Sequence, residues 1–280
     1  MPAPQASMMQ QFARLKFASF GLKVPVNWQP PQGDDAKHYG DAFKPEEKQT
    51  VPGMGVPLLF MAASTNKYHT DSQKMHIGKI GGFIDGMCSA ICSAWGQWQS
   101  MASMTGVLVN AVTASMGQIV GPPLMPLILA SAPKSSPMEL KYSNVIATVI
   151  SNGWMQFTAT VKIPGLPMFP AFAAFPGPLA PPIPNVPVPF AALTQVPVSI
   201  STNMLKMQMI GQLGDPAAPF HKELFEAISN AFEQCYNLWK ASTMVTNILG
   251  TGPIPTFAPP YVPVGPVVGG MGNMLPGGFV

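Results

Sequence analysis

Three cysteines carry the most versatile side-chain chemistry in this sequence, and their spacing limits what they could do. Cys88 and Cys92 lie one helical turn apart in an apolar segment, whereas Cys235 lies far along the chain. A thiolate metal site needs further ligands, and no histidine lies near the first two in sequence. Three cysteines also form no disulfide framework. The pattern therefore favours buried cysteines that pack as small hydrophobic side chains.

Two histidines form the densest polar group. His69 and His76 lie seven residues apart, close to Tyr68 and Asp71, and could share one face of a helix. A metal or acid–base site would need a third group from elsewhere in the chain. We favour the alternative, in which these residues are solvated or cap the start of a long helix.

Recognisable catalytic and nucleotide-binding motifs are missing from the sequence. The run Gly-Lys-Ile-Gly-Gly at 78–82 resembles a phosphate loop, but it lacks the Walker spacing and no clear strand precedes it. There is no Gly-x-Ser-x-Gly, His-Glu-x-x-His or Cys-x-x-Cys. We therefore predict no catalytic, cofactor-binding or metal-binding residues and no cofactor. The expected protein is not an enzyme; an enzyme with an unrecognised fold is a third hypothesis.

Charge is scarce and unevenly distributed. Only 10% of the residues are charged, and the stretches 86–133, 163–205 and 241–280 contain no Asp, Glu, Lys or Arg. Proline, glycine and polar residues interrupt these stretches, which argues against lipid-facing helices. A surface with so little charge would aggregate unless other subunits cover it. The expected partners are protein subunits of the same particle, both further copies of this chain and other structural proteins.

Nucleic acid is not an expected partner. The formal net charge is +3 and the chain has a single arginine, Arg14. No basic run is dense enough to neutralise several phosphates.

The clearest predicted element is a helix over 72–118. Small side chains recur at every fourth position, at Gly82, Gly86, Ala90 and Ala94, and such a ridge lets another backbone approach closely. Large side chains, including Trp95 and Trp98, recur on a neighbouring face, and we predict that these two and Trp239 are packing or interface residues. We predict that the small ridge packs against another helix.

Shorter elements are predicted on both sides of this helix. A short amphipathic helix over 8–20 has Met8, Phe12 and Leu15 on one face, and the rest of 1–71 is charged and rich in loops. Ser136 to Glu139 forms a capping box that starts a helix, with a C-cap at Asn152-Gly153. Alternation over 156–163 predicts a strand.

Proline and glycine dominate the remaining segments. Eleven prolines in 164–197 exclude helix and central strand, so we predict an extended arm within 164–205 that lies along a partner or along the chain's own body. Its Phe169, Phe172 and Phe175 are predicted packing or interface residues, as are Phe257 and Tyr261 of the tail. A helix opens at Asp215-Pro216 within the segment 206–249 and carries Trp239. The uncharged tail, 250–280, carries Phe257 and Tyr261 and is expected to thread into a groove or central space of the complex. With a core at 72–163, the predicted fold class is mainly α with long irregular Pro/Gly-rich arms and a minor β component.

The sequence contains one internal echo. Trp95-Gly96-Gln97-Trp98, followed by a Gly-Pro stop, is similar to Tyr236-Asn237-Leu238-Trp239 and the Gly-Pro that follows. Both pieces have an aromatic helix, a Gly-Pro stop and an apolar Pro-rich segment. The echo suggests an ancient duplication.

Three proline-rich motifs carry a resemblance to a known class of protein. They are Val-Gly-Pro-Pro-Leu-Met-Pro at the end of the predicted helix, Phe-Pro-Gly-Pro-Leu-Ala-Pro-Pro-Ile-Pro in the arm, and Gly-Thr-Gly-Pro-Ile-Pro-Thr-Phe-Ala-Pro-Pro in the tail. Together they resemble, in texture, small structural proteins of contractile phage tails and phage-derived contractile injection systems. The resemblance implies a virion or injection-particle component at the baseplate, hub or tube end.

These observations lead to one expected function and one rival. The first hypothesis is a non-enzymatic structural subunit of a multi-copy particle, an oligomer that acts by packing against its neighbours. It is expected to be made in the cytoplasm without a signal peptide and then assembled into the particle. The alternative is a membrane-active or pore-lining protein that inserts residues 86–133.

Overall fold

The structure, a computed structural model, describes residues 3–22, 67–170, 177–194, 197–218, 220–258, 262–263 and 266–280. Within these residues lie six α-helices: α1 (Ala6–Ser19), α2 (Lys67–Met101), α3 (Leu124–Ser131), α4 (Pro137–Thr160), α5 (Thr202–Leu213) and α6 (His221–Ser242). One antiparallel sheet has six strands: β1 (Ser103–Asn110), β2 (Thr113–Val120), β3 (Ile163–Pro167), β4 (Leu179–Pro184), β7 (Ile248–Pro253) and β10 (Gly270–Met274). Two small pairs join β5 (Val188–Pro189) to β6 (Met244–Val245) and β8 (Phe257–Ala258) to β9 (Val262–Pro263). The fold is mixed α/β with helix in excess, which agrees roughly with the mainly α prediction.

The helices form a closed ring. Each helix packs against the next one in chain order, and α6 packs against α1. The long helices α2, α4 and α6 bring their aromatic side chains together inside the ring. The short helices α1, α3 and α5 each lie between two long ones. The three long helices therefore share one aromatic core.

The sheet closes the end of the ring at which the long helices finish. Its strand order is β3-β2-β1-β10-β7-β4. Buried side chains on its inner face, such as Met104, Val107 and Ile248, belong to the same hydrophobic core as the helices. Both edge strands carry prolines, as expected for a residue that lacks the N–H needed inside a sheet. The strands of this sheet come from residues 103 to 274, so several of the segments that the sequence predicts contribute to one sheet.

The predicted long helix is wrong beyond Met101. Ala102 still donates its backbone N–H to Trp98, but the chain then enters the β1–β2 hairpin. Gly106 and Ala114, which extend the four-residue spacing of small residues beyond Ala94, lie in this hairpin. Their segment is rich in β-branched residues, and its two strands pair with each other in register from Ser103–Val120 to Asn110–Thr113.

The strand predicted over 156–163 is also misplaced. Helix α4 continues to Thr160, and the strand β3 begins at Ile163. Trp154, Phe157 and Thr158 are buried at helical spacing, and this burial outweighs the local alternation. Gly153 lies inside α4, where a Cβ atom would sit 2.7 Å from the carbonyl oxygen of Ser199. The glycine therefore permits close packing and does not cap the helix.

Other helix boundaries agree better with the sequence. The capping box is confirmed: Glu139 donates its backbone N–H to the Ser136 hydroxyl (3.2 Å), and its carboxylate accepts from the Ser135 N–H (2.7 Å). The short N-terminal helix exists, but its buried face consists of Met9, Ala13 and Phe17. The last helix begins at His221, not at residue 215.

Ion pairs hold the helical ring together at its surface. Glu226 of α6 accepts from Lys16 of α1 (3.0 Å) and from Lys206 of α5 (2.5 Å). Arg14 of α1 pairs with Asp85 of α2. These contacts link helices that are distant in sequence.

The Glu226 pairs predict a pH-dependent contribution to stability. Hydrogen bonds from Lys206 and then Lys16 lower the pKa of Glu226 from its ordinary value of 4.5. Because the folded-state pKa is lowered, the contribution is present above pH 4.5 and is lost as the pH falls through the lowered pKa. We expect Glu226→Gln to destabilise the protein at pH 7 but to have a smaller effect at pH 3, measured by urea unfolding. Glu223→Gln, one turn earlier, is the matched control; equal effects of Glu226→Gln at both pH values would contradict this expectation.

Candidate assembly surface

Three aromatic side chains meet where the long helices converge. The ring centroids of Trp95 and Trp154 lie 4.7 Å apart, those of Trp95 and Phe232 5.2 Å, and those of Trp154 and Phe232 6.2 Å. All three side chains are buried. One comes from each long helix, and because short and long helices alternate around the ring, we take the centre of this triangle as a pseudo-threefold axis of the helices.

The same short motif surrounds each of these aromatic residues. It reads Ile-Cys-Ser-Ala-Trp-Gly-Gln-Trp at 91–98, Ile-Ser-Asn-Gly-Trp-Met-Gln-Phe at 150–157 and Ile-Ser-Asn-Ala-Phe-Glu-Gln-Cys at 228–235. Four positions of the motif are buried in all three copies. They are the isoleucine, the alanine or glycine three residues later, the aromatic residue that follows it, and the residue after the glutamine. The structure therefore contains three repeats, each with a short helix, a long helix and following strand.

The internal echo found in the sequence matches α2 with a different turn of α6 from the one that the three repeats match. It matched the turn of Trp95 with that of Tyr236 and Trp239, whereas the axis places Phe232 opposite Trp95. The copy at 150–157 was missed entirely. A search for Ile-x-x-Ala/Gly-Trp/Phe-x-Gln would have found all three.

The uncharged stretches of the sequence converge at the sheet end of the molecule. Stretch 86–133 supplies β1 and β2, stretch 163–205 supplies β3 and β4, and stretch 241–280 supplies β7 and β10. None of these six strands contains Asp, Glu, Lys or Arg. The ion pairs among the described residues, by contrast, join residues of the helices and of their connections. The molecule therefore has a charged helical part and an uncharged sheet end.

The outer face of the sheet combines apolar and neutral polar side chains. One row crosses four strands through Ser115, Leu108, Met271 and Thr251. Met271, near the middle of the sheet, is 59% exposed. Other exposed apolar residues of the sheet and its borders are Met116, Val120, Leu179 and Leu275. We call this uncharged outer face the sheet face.

The predicted interface tryptophans lie inside this chain. Trp95, Trp98 and Trp239 are almost completely buried among aromatic rings of the long helices. The Trp239 indole N–H donates to the Gln99 side chain (3.0 Å). Burial within the chain explains their aromatic character, so these residues belong to the core of this chain and not to its surface.

The small-residue ridge is divided between core and surface. Ala90 and Ala94 are buried in the core, and a Cβ atom on Gly86 would sit 2.7 Å from Pro133 Cγ. At Gly82 an added Cβ would meet no described atom within 4 Å. The close approach expected along the whole ridge therefore occurs only at part of it.

The aromatic residues of the arm and tail divide in a similar way. Phe169 is buried, and its ring occupies the space that a Cβ on Gly250 would need. Phe172, Phe175 and Tyr261 lie outside the described residues, as does the side chain of Phe257.

The end of the tail is part of the fold of this chain. Strand β10 lies in the middle of the sheet, and Phe279 stacks on Trp98 with ring centroids 6.0 Å apart. The carbonyl of Phe279 accepts a hydrogen bond from the Gln99 amide (2.9 Å). The end of the tail therefore occupies a central position within the fold of its own chain, whereas the sequence predicted a groove or central space of a complex.

The cysteines have the environment expected of packing residues. Burial raises the pKa of Cys235 to about 11 and is the main cause that raises the pKa of Cys92 to about 12, and it also raises the pKa of Cys88. Cys92 Sγ lies 3.8 Å from Met9 Sδ. Among the described residues, no group of three or more His, Cys, Asp or Glu side chains could hold a metal ion. His76 is exposed, and the side chains of Tyr68, His69 and Asp71 lie outside the described residues.

An open groove lies beside helix α2. Its volume is about 620 Å³, and small side chains such as Ser89, Ser93 and Gly96 form one wall. Ala3 and Phe279 line other parts of it. The lining contains no charged side chain, so the groove extends the uncharged character of the sheet end onto α2.

Comparison with known proteins identifies no relative: the chain matches no protein-family model, no curated protein and no solved structure.

No helix in the described part of the chain is both long and apolar enough to cross a membrane.

Proposed function

We propose that this protein is a non-enzymatic structural subunit of a multi-copy particle. The observation that carries the proposal is the convergence of three uncharged stretches on one end of the fold. Charge on the rest of the surface keeps a subunit soluble, whereas an uncharged patch with exposed Leu and Met side chains suits burial against protein. The sheet face is the surface that we assign to subunit contact.

The prolines at both sheet edges define how such contact would occur. Strand β4 contains Pro181 and Pro182, and strand β3 contains Pro164. An edge that carries prolines offers few N–H groups for pairing with a strand of another chain. Contact through side chains of the sheet face is therefore favoured over extension of the sheet into a neighbouring subunit.

The class of particle is proposed from the resemblance of the proline-rich motifs. We propose a contractile phage tail or a phage-derived contractile injection system, with the subunit at the baseplate, hub or tube end. Detergent-free fractionation followed by a carbonate wash tests this assignment. The subunit should stay with sedimenting particles that negative staining shows to be contractile; recovery with washed membranes would favour the pore-lining alternative and contradict the proposal.

Met271→Lys tests the role of the sheet face. The side chain is exposed in the subunit, so the folded monomer should tolerate lysine, but contact with a partner would bury an unpaired ammonium group. We expect at least about a tenfold loss of subunit from sedimented particles, equivalent to about 1.4 kcal/mol. Leu15→Lys, on the charged helical part and 61% exposed, is the matched control. Normal incorporation of Met271→Lys would exclude the sheet face as a contact surface.

A further inference from the structure

The three repeats share one exposed residue as well as their buried ones. Gln97, Gln156 and Gln234 occupy the same motif position on α2, α4 and α6, and all three are exposed. Packing explains why the buried isoleucine and aromatic positions recur, because those side chains meet at the axis. Packing does not require the same side chain at an exposed position.

The residue before each glutamine shows how far the surface of the repeats has diverged. That position holds Gly96, Met155 and Glu233 in the three copies. The position before the glutamine thus accepts a glycine, an apolar residue or a charged residue, while the glutamine itself is unchanged.

A local role within each helix accounts for only a small part of this recurrence. Gln234 donates to the Asn230 side chain (2.6 Å), and Gln97 donates to the Ser93 hydroxyl at 3.5 Å. Side-chain pairs at this spacing stabilise a helix by about 0.2–0.5 kcal/mol. Other polar residues would provide similar stabilisation. The common feature is an exposed amide that can both donate and accept hydrogen bonds at three related places around one axis.

We infer that the chain lies, as a single copy, on the axis of a threefold-symmetric protein partner, with Gln97, Gln156 and Gln234 each contacting one of three identical subunits. This inference rests on the proposed function as a particle subunit. The partner surface is uncharged and presents backbone or side-chain amides, which match the donor and acceptor of each glutamine. Three identical subunits offer three identical sites, and a chain with three related faces can engage all of them.

The contact area favours a partner that contacts several faces of the chain at once. Two turns of one helix, about 11 Å long and about 10 Å wide, present on the order of 100 Å². A stable interface buries about 800 Å² on each partner. One glutamine-bearing face is therefore far too small alone, whereas three subunits that each contact one such face and part of the sheet face bury a larger area. Once one subunit has bound, the other two contacts form within the same complex at high effective concentration.

Site-specific photo-crosslinking tests the inference in cells that produce the complete particle. A benzophenone amino acid replaces Gln97, Gln156 or Gln234, one at a time, and crosslinked partner peptides are identified by mass spectrometry after particle purification. We expect all three positions to crosslink to the same peptide of one partner polypeptide, and native mass spectrometry of the dissociated complex to give one copy of this chain to three of the partner. The same amino acid at Met207, an exposed position on α5 outside the repeated motif, is the control and should not yield that peptide.

The possible outcomes separate this inference from the proposed function. If the chain is incorporated but the three positions crosslink to different peptides, to another copy of this chain or to nothing, the threefold contact is wrong and the particle role stands. If the unmodified chain is not found in particles, both are wrong.

Discussion

Trp154→Ala is expected to lower the free energy of unfolding by about 3–5 kcal/mol. Trp154 contacts aromatic rings from all three long helices, including Trp95 at 4.7 Å, Trp98 at 4.9 Å and Trp239 at 5.7 Å. Alanine would leave a cavity on the pseudo-threefold axis, which no single helix could close by moving. Urea unfolding followed by circular dichroism measures the loss.

Met155→Ala is the matched control for this prediction. Met155 is the next residue on the same helix but is 61% exposed, so its truncation should change the free energy of unfolding by no more than about 0.5 kcal/mol. A loss below 1 kcal/mol for Trp154→Ala would show that the aromatic contacts do not organise the core.

Gly252→Ala is expected to destabilise the protein by about 1–3 kcal/mol or more. Gly252 of β7 faces Gly270 at the start of β10, and an added Cβ would overlap the Gly270 Cα and lie 2.6 Å from Val267 Cγ1. Backbone atoms of a central strand pair cannot move aside without breaking the β7–β10 hydrogen bonds. The variant should unfold at lower urea concentration and lose protection from amide exchange in β7 and β10.

Gly211→Ala provides the opposite control. Gly211 lies inside α5, and an added Cβ there would meet no described atom within 4 Å. Alanine in an open helical position should stabilise the protein by about 0.4–1 kcal/mol, through lower entropy of the unfolded chain and higher helix propensity. Equal effects of the two substitutions would contradict the close approach of β7 and β10.

The candidate assembly surface could be predicted from the sequence only in part. The lack of charge in 86–133, 163–205 and 241–280 indicated segments that need to be covered. Which side chains remain exposed was not readable, because Trp95 and Trp98 are as apolar as Met271 yet lie in the core. The repeated exposed glutamine was present in the sequence, but its meaning depends on the axis that relates the three helices.

Features set by neighbouring residues were determined by the sequence itself. The Ser136–Glu139 capping box starts α4 because its hydrogen bonds join residues three or four positions apart. Prolines confine β3 and β4 to the sheet edges because proline lacks an N–H group. These effects act between residues that are close in sequence, so they apply in any fold of the chain.

Tertiary structure alone decided the state of 102–118 and 156–160. Within the former, β1 pairs with β10 and β2 pairs with β3, strands that come later in the chain. The latter stays helical because Phe157 packs against Tyr236, with ring centroids 5.0 Å apart. Local preferences in 102–118 conflict, because Ala114 favours a helix, Gly106 disfavours one and the β-branched residues favour a strand, so the net preference is small. Hydrogen bonds and burial supplied by distant segments contribute more free energy than that local preference, so they determine the secondary structure.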